Sequence, residues 1–378
     1  MTKRNKSGGL VRAGDSEFLQ KKLELLSPKE TAGDDPPPKP TAPEFQNRQL
    51  NLFQNFLYNR DEEREKLSNI IDLWDSVPRY SVSRQAMHKS RKHGTILKKH
   101  TSAFQYMGRT LMCTITPARV SDIDGEERDY YPSATEELVE DALRKLATDQ
   151  KAGFFDKLNY RSGVIFSLYS VREELKRRGH SRSYHEVRIS LDILSGSIIE
   201  IEGKNPDNGG EAIMRSAYLP SVIAVSQATL KDDPKAKWAV QFHPLVTGSI
   251  DKVTYRQFNY DLMMSHPTQL ARWVHKQLLL KYTFADYTKP FEMRYSTVKR
   301  DSGLLDGYAR ERAAIDALHS AFEELKEKKI LSSCERKDTT GPRKKLIDVI
   351  FKIWPSVDFV REMKASNKRL SDSQRGAR

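Results

Sequence analysis

Apolar positions in this chain fall into short periodic runs separated by polar stretches. The first run, Glu17–Leu26, sets Phe18, Leu19, Leu23 and Leu26 at helical spacing, but it is short and isolated and is expected to fold only against another surface. After it comes GDDPPPKPTAP (33–43), where four prolines within five positions exclude both a helix and a central strand. Residues 1–44 therefore read as a flexible arm. A second amphipathic run spans Phe45–Trp74, with a helix predicted over Asn59–Ile71, and the folded part is expected to begin near Arg109.

From there the pattern is denser. RTLMCTITPARV predicts a strand and DIDG (122–125) its turn. DYYPSATEELVEDALRKLATDQ predicts a helix from Ser133, with Ser133 and Glu136 as a capping box and Leu138, Ala142 and Leu146 on its apolar face. Val164–Phe166 reads as a short strand, and the helix behind it is capped by Ser167 and stopped by Gly179. Two residues later a third helix, RSYHEVRISLDILSGS, sets Tyr184, Val187, Leu191 and Leu194 inward. It leaves Arg182, Ser183, His185 and Glu186, with Arg188 and Ile189, on the other face. Residues 198–203, the turn NPDNGG and a return strand from Glu211 complete a hairpin.

Helix, strand, helix, tight link, helix, hairpin is the winged-helix order. In that fold the third helix enters the major groove of DNA and the hairpin reaches the backbone or the minor groove. KWAVQFHPLVTGSI predicts a strand that closes this unit, and VTYRQFNYDLMMS a connecting helix. The scheme then repeats: a helix opened by Pro267, a strand over FEMRYSTVKRDSG, a long helix over YARERAAIDALHSAFEELKEKK and a hairpin turning at Asp338–Pro342. Only DSGLLDG is left for the middle helix of this second unit. The predicted fold class is α+β: two tandem winged-helix domains with a disordered N-terminal arm and a basic C-terminal tail. The boundaries are 1–44 (arm), 45–108 (basic linker region), 109–250 and 251–360 (the two domains) and 361–378 (tail, expected to fray).

Composition changes the picture by pointing to a partner. The formal charge is +13, from 64 Lys and Arg against 51 Asp and Glu, which favours polyanions. From Ser76 to Ser121 nine basic residues (Arg79, Arg84, Lys89, Arg91, Lys92, Lys98, Lys99, Arg109, Arg119) meet no acidic one, with His88, His93 and His100 among them. Phosphate contact is the favoured reading of that stretch over an inert solvated surface. Two cysteines, Cys113 and Cys334, are too few for a disulfide framework and too distant for a zinc knuckle. With no apolar run near the length of a membrane span and no signal-peptide core, a soluble cytoplasmic protein is expected, without membrane contact.

Just past the proline-rich arm, Gln49-Leu50-Asn51-Leu52-Phe53 matches the Q-L-x-L-F pattern with which bacterial replication and repair proteins bind the polymerase sliding clamp. Gln49 offers an amide at the mouth of a cleft while Leu50, Leu52 and Phe53 fill apolar subsites. The bland alternative is an amphipathic helix packing on the first domain. YPSATEELVEDALRKLA together with SGVIFSLYSVREELKRRGHSRSYHEVRISLDILSGSIIEIE resembles the first winged helix of RepA-type plasmid replication initiators, close to the IncA/C group. The pairing of two winged helices with an upstream clamp peptide is similar to the IncP plasmid initiator. The resemblance covers roughly 110–330 and is most specific over 131–202. It implies binding to double-stranded repeats (iterons) at a plasmid origin, opening of adjacent AT-rich DNA and recruitment of the host clamp, host initiator and replicative helicase, with self-association between monomer and dimer.

On that reading Arg182, Ser183, His185 and Arg188 face a groove, Arg182 being the foremost base contact because arginine reads a guanine edge through two hydrogen bonds. Lys176, Arg177 and Arg178 at the end of the second helix, and Arg343, Lys344 and Lys345 in the second hairpin, are candidate phosphate contacts. No catalytic residue, metal or cofactor is expected. There is no G-x-x-x-x-G-K-[ST] loop and no H-x-H of a nickase, and Asp122 with Asp124 reads as a hairpin turn rather than a primase-like metal pair. The competing functions are a winged-helix transcription regulator without a replication role, a plasmid nickase or primase, and a DNA-condensing protein without sequence preference.

Overall fold

The computed structural model describes residues 66–91, 96–121, 125–148, 152–204, 211–223 and 236–376, and they form a mixed α+β fold. The chain enters the core well before Arg109. Strand β1 (Leu67–Ile70) pairs antiparallel with β12 (Arg256–Asn259), from Leu67↔Asn259 to Ile70↔Arg256. Helix α1 (Asp72–Ser76) buries Trp74 completely, and after α2 (Arg84–Arg91) the strands β2 (His100–Tyr106) and β3 (Arg109–Thr116) form a hairpin turned by Met107 and Gly108 at positive φ. The expected linker over 45–108 is thus, from Leu67 onward, integral to the fold. Its apolar residues (Ile70, Ile71, Trp74, Val77, Met87, Phe104) are diluted by cations in sequence, and the surfaces that bury them come from later in the chain.

After the small ladder of β4 (Ala118–Ser121) and β5 (Glu127–Tyr130) comes the first unit. Helix α3 (Ala134–Leu146) begins as expected: the Ser133 N–H and hydroxyl donate to Glu136 Oε2 at 2.9 and 2.7 Å. β6 (Gly153–Asp156) and β7 (Arg161–Ser167) lead to α4 (Leu168–Arg177), capped by Ser167, with Gly179 at φ +82° just past its end. Six residues, rather than two, then precede α5 (Tyr184–Gly196), because residues 178–183 lie outside both helices and Ser183 is the cap. Val187, Ile189, Leu191, Ile193 and Leu194 are buried, so Ile189 belongs to the core and not to the outer face. The hairpin of β8 (Ile198–Lys204) and β9 (Glu211–Ala217) does not stand free. β8 pairs with β3 from Met112↔Glu202 to Thr116↔Ile198, giving a sheet of order β2-β3-β8-β9. β10 (Ser221–Ile223) and β11 (Lys237–Gln241) join β7 and β6 in a second sheet, as the closing-strand expectation requires.

α6 (Pro244–Asp251) leads to β12 and the short α7 (Tyr260–Met264). The connecting helix predicted over VTYRQFNYDLMMS is therefore half strand: Tyr255, Phe258 and Leu262 mimic a helical period, but β1 supplies a ladder partner from far upstream. α8 (Gln269–Lys281) is capped by Thr268, whose Oγ1 accepts from Ala271 N at 3.2 Å, leaving Pro267 one place outside. β13 (Phe291–Arg294) is followed directly by α9 (Tyr295–Ser302), the middle helix that had no evident counterpart in sequence. It buries Tyr295 and Val298 and ends at left-handed Gly303. α10 (Glu311–Glu327) and the ten-residue arms β14 (Leu331–Thr340) and β15 (Leu346–Pro355) complete a second helix-strand-helix-helix-hairpin, with sheet order β13-β15-β14. The tail is ordered rather than frayed as far as it is described: α11 (Val357–Gly376) lies on β12, burying Met363 and donating from Ser366 Oγ to Gln257 O at 2.7 Å.

The two units meet through α1, α3 and α8. Asp75 accepts from Arg144 at 2.7 and 2.8 Å and from Arg79 at 3.0 Å, while Glu140 accepts from Arg79, from the Tyr80 hydroxyl and from Trp74 Nε1. Lys276 on α8 reaches Glu137 at 3.1 Å and Asp141 at 2.7 Å on α3, and Gln277 donates to Asp75 O at 3.2 Å. Burial pushes the Asp75 and Glu140 carboxyls up, but Arg144 and Arg79 outweigh it and hold both below the usual carboxylate range. Asp141, which shares Lys276 with Glu137, is pushed up by burial. Such a network adds little over apolar packing but is costly to leave half-paired, so it specifies how α3 and α8 stand together.

Candidate nucleic-acid interface

In the first unit the candidate surface is the end of α4 and the start of α5. Arg172 Nε donates to Arg182 O at 2.9 Å and its guanidinium lies 3.9 Å over the Tyr184 ring, fixing the link between the helices. Arg182 is half-buried and donates from Nη1 to Ser181 O at 2.8 Å. Ser183 is committed to capping: its Oγ accepts from Glu186 N at 3.1 Å and its N–H donates to Glu186 Oε2 at 2.7 Å. It therefore positions the helix end rather than offering a free hydroxyl acceptor. His185 and Arg188 are half-buried, with Nε2 and Nε respectively enclosed and unpaired among the described residues. Asp192, one turn on, interacts electrostatically with both.

Lys176 and Arg177 are exposed at the end of α4, but Arg178 is not a phosphate contact. Its guanidinium turns inward, 4% exposed, to ion pairs with Glu174 at 3.0 Å and Asp261 at 2.6 Å over the Tyr260 ring. At the helix C-terminus two successive arginines face opposite ways, and the inward one finds a carboxylate from α7 that no local pattern announces. His180 also turns inward, its Nε2 2.7 Å from Met264 O, and burial lowers its pKa.

The acid-free stretch 76–121 is less of a bare cationic surface than its sequence suggests. Arg79 is buried with Asp75 and Glu140, Arg84 pairs with Glu136 at 2.6 Å, Arg119 with Asp129 at 3.0 Å, and Arg91 donates to Asp129 O at 3.2 Å. The missing carboxylates come from elsewhere in the chain. Lys89, Lys98, Lys99 and Arg109 remain exposed, while Lys92 and His93 lie outside the described residues.

In the second unit the β14–β15 hairpin carries the charge. Arg336 is paired with Asp338 at 2.7 Å and Lys352 with Glu292 at 3.3 Å, while Lys337 on the same arm is exposed. At the tip, Arg343 in left-handed conformation (φ 59°) and Lys345 are exposed, and no described carboxylate pairs with either. Lys344 is at the same turn, its side chain outside the described residues. The start of α10 adds exposed Tyr308, Arg310 and Arg312, residues that sequence reasoning missed because α9 went unrecognised. Tyr295, Val298 and Ser302 at helical spacing before Gly303 were the available signal. Arg336 Nη1 stands 4.0 Å from Asp316 on α10, which places the hairpin beside that helix.

Gln49, Leu50, Leu52 and Phe53 lie outside the described residues, as do Asp122 and Asp124. Among the described residues no three His, Cys, Asp or Glu side chains gather into a set that could hold a metal ion, and no helix is long and apolar enough to cross a membrane.

No protein-family model matches the sequence, and no curated protein matches it. Among solved structures, a crystal structure of domains 2 and 3 of RctB is similar over 70% of this chain and 93% of that one, at 12% identity and a TM-score of 0.43. Another of RctB domains 2-3 covers 71% and 95% at 11% identity and 0.41. The Pi initiator protein in complex with iteron DNA covers 78% and 99% at 12% identity and 0.33. All three scores lie below one half.

Proposed function

We propose that this chain is a DNA-binding replication initiator of the plasmid type, built on two winged-helix units and without enzymatic activity. The observation that carries the reading is the repeat of one arrangement: helix, strand, helix, helix, hairpin, each with an arginine at the start of its third helix (half-buried Arg182 before α5, exposed Arg310 and Arg312 at α10). In the second unit the hairpin that packs beside α10 adds an exposed basic tip, Arg343 and Lys345. Helix starts suit base edges and flanking cations suit phosphates. The sequence resemblance over 131–202 adds the finer elements: iterons at an origin as the duplex, Gln49, Leu50, Leu52 and Phe53 for the sliding clamp, and the host initiator and helicase as further partners.

The test is a footprint of the full chain on the plasmid that carries its gene, followed by Arg182→Ala. The variant should lose affinity for the protected repeat by roughly 1–3 kcal/mol while binding random duplex as before. Equal losses on both DNAs would make Arg182 a phosphate contact, and the absence of any protected repeat would overturn sequence-specific initiation.

A further inference from the structure

The tip of the β14–β15 hairpin is built around an apolar residue that no core requires. Ile347 is 66% exposed, in the midst of Arg343, Lys344 and Lys345. Its place in the ladder is unusual. Thr339 pairs with Asp348 and Thr340 with Leu346, so Ile347 is the extra residue of a β-bulge, a device that re-aims a side chain. Opposite it stands Gly341, whose φ of −102° any residue adopts. Ile347 Cδ1 lies over Gly341, where an added Cβ would stand 2.7 Å from it and would push the isoleucine side chain aside. Pro342 is exposed beside it.

The tip also projects from a firm root. β13 stops pairing with β15 at Arg294↔Ile350, so residues 341–347 extend past the three-stranded sheet. At the point of departure Asp348 is buried and accepts from Ser296 N at 3.1 Å and Ser296 Oγ at 2.6 Å, tying β15 to the first turn of α9. An exposed apolar wedge of Ile and Pro on a basic two-stranded arm has the chemistry of side chains that enter the minor groove and unstack neighbouring base pairs.

We propose that Pro342 and Ile347 form such a wedge, inserting between stacked base pairs and kinking the duplex while Arg343 and Lys345 hold the phosphates on either side. The proposal rests on the reading of the chain as a duplex-DNA binder. It gives the second hairpin a role that phosphate contact alone does not: deformability of the DNA, rather than base edges, would be what this tip selects.

The experiment uses the full chain on circularly permuted fragments spanning the footprint, whose gel mobility reads bending, and on the same duplex carrying 2-aminopurine, whose fluorescence rises when a base unstacks. The wild type should bend the fragment and raise the fluorescence at one step. The Pro342→Ala, Ile347→Ser variant should bind within about threefold of wild type, having kept its cations, yet lose both signals. Gly341→Ala, which displaces Ile347 from its seat, should weaken the bend without lowering the melting temperature. Binding by the double variant with bend and fluorescence unchanged overturns the wedge and leaves the proposed function standing, as does a wild type that binds without either signal. A wild type that binds no duplex overturns the proposed function, and the wedge with it. Capture of protein rather than DNA by the intact tip, lost on Ile347→Ser, would identify it as a protein contact and also overturn the wedge.

Discussion

The hairpins β8–β9 and β14–β15 hold the same place in the order of their units, yet the first is sewn along β8 to β3 while the second pairs only with itself and with β13. The difference begins outside both hairpins, in residues 67–116. That segment brings the β2–β3 hairpin to the first unit, where β3 pairs along β8. Composition follows the contact. β8 alternates Ile199 and Ile201 into the core with Glu200 and Glu202 between them, whereas the tip of the second hairpin is cationic. Each hairpin keeps one unpaired edge, β9 and β14, so what separates them is the length of arm that runs past the third strand and the charge it carries. On this comparison the second hairpin is the one that ends in an exposed cationic tip, and the first is built into a four-stranded sheet.

Several measurements would break or sharpen the contrast, beginning with what keeps both hairpins on one body. Arg144→Ala leaves Asp75 buried without its main partner and is expected to cost about 3–5 kcal/mol in denaturant unfolding. A loss under about 1 kcal/mol would mean that the junction of α1, α3 and α8 is looser than described. Next, Ile199→Ala and Ile347→Ala remove equal side chains from the two hairpins. The first, fully buried, should cost about 2–5 kcal/mol by cavity formation, and the second, two-thirds exposed, about 0.5 kcal/mol or less. Comparable losses would erase the distinction.

Acid supplies a third lever. Burial lowers the pKa of His243 to about 3 and of His266 to about 4, and holds His275 well below its ordinary value. Each takes up a proton on unfolding but not while folded. The stability present above roughly pH 6.5 should thus fall as the pH drops toward those values, by about 1.4 kcal/mol per pH unit per histidine. Asp141, raised by burial, opposes this as it gains its proton in the folded state. Melting temperatures recorded between pH 7 and pH 5 check the sign, and a flat profile would contradict it. The smallest effect is on binding alone: Arg343→Ala with Lys345→Ala should reduce the salt slope by about two units, while Arg215→Ala, paired with Glu200 on the first hairpin, should leave it unchanged.

What the sequence disclosed and what it hid divide along chain distance. Caps and stops were readable because they are local: Ser133 with Glu136, Ser167, and Gly179 all stand where the pattern placed them. The order of elements in the first unit followed. Hidden were features whose partners are remote. β12 read as helix because β1 lies almost two hundred residues away, Arg178 read as free because Asp261 comes from α7, and 67–106 read as linker because Arg79 and Arg84 find carboxylates on α3. α9 was missed for a local reason, since Thr297 and Val298 favour strand and run on from β13 without a break.

The pairing of β1 with β12 carries a consequence for biosynthesis. A nascent chain that has completed α3 still lacks the strand that closes over Leu67–Ile70, and Gln277, which grips Asp75 O, is 202 residues further on. Long-range closure of this kind slows folding and leaves intermediates with exposed apolar surface. β1, the Asp75 carbonyl and the Glu137–Asp141 carboxylate pair would wait on the ribosome without β12, Gln277 and Lys276, so the first-made residues of the fold are among the last to be completed.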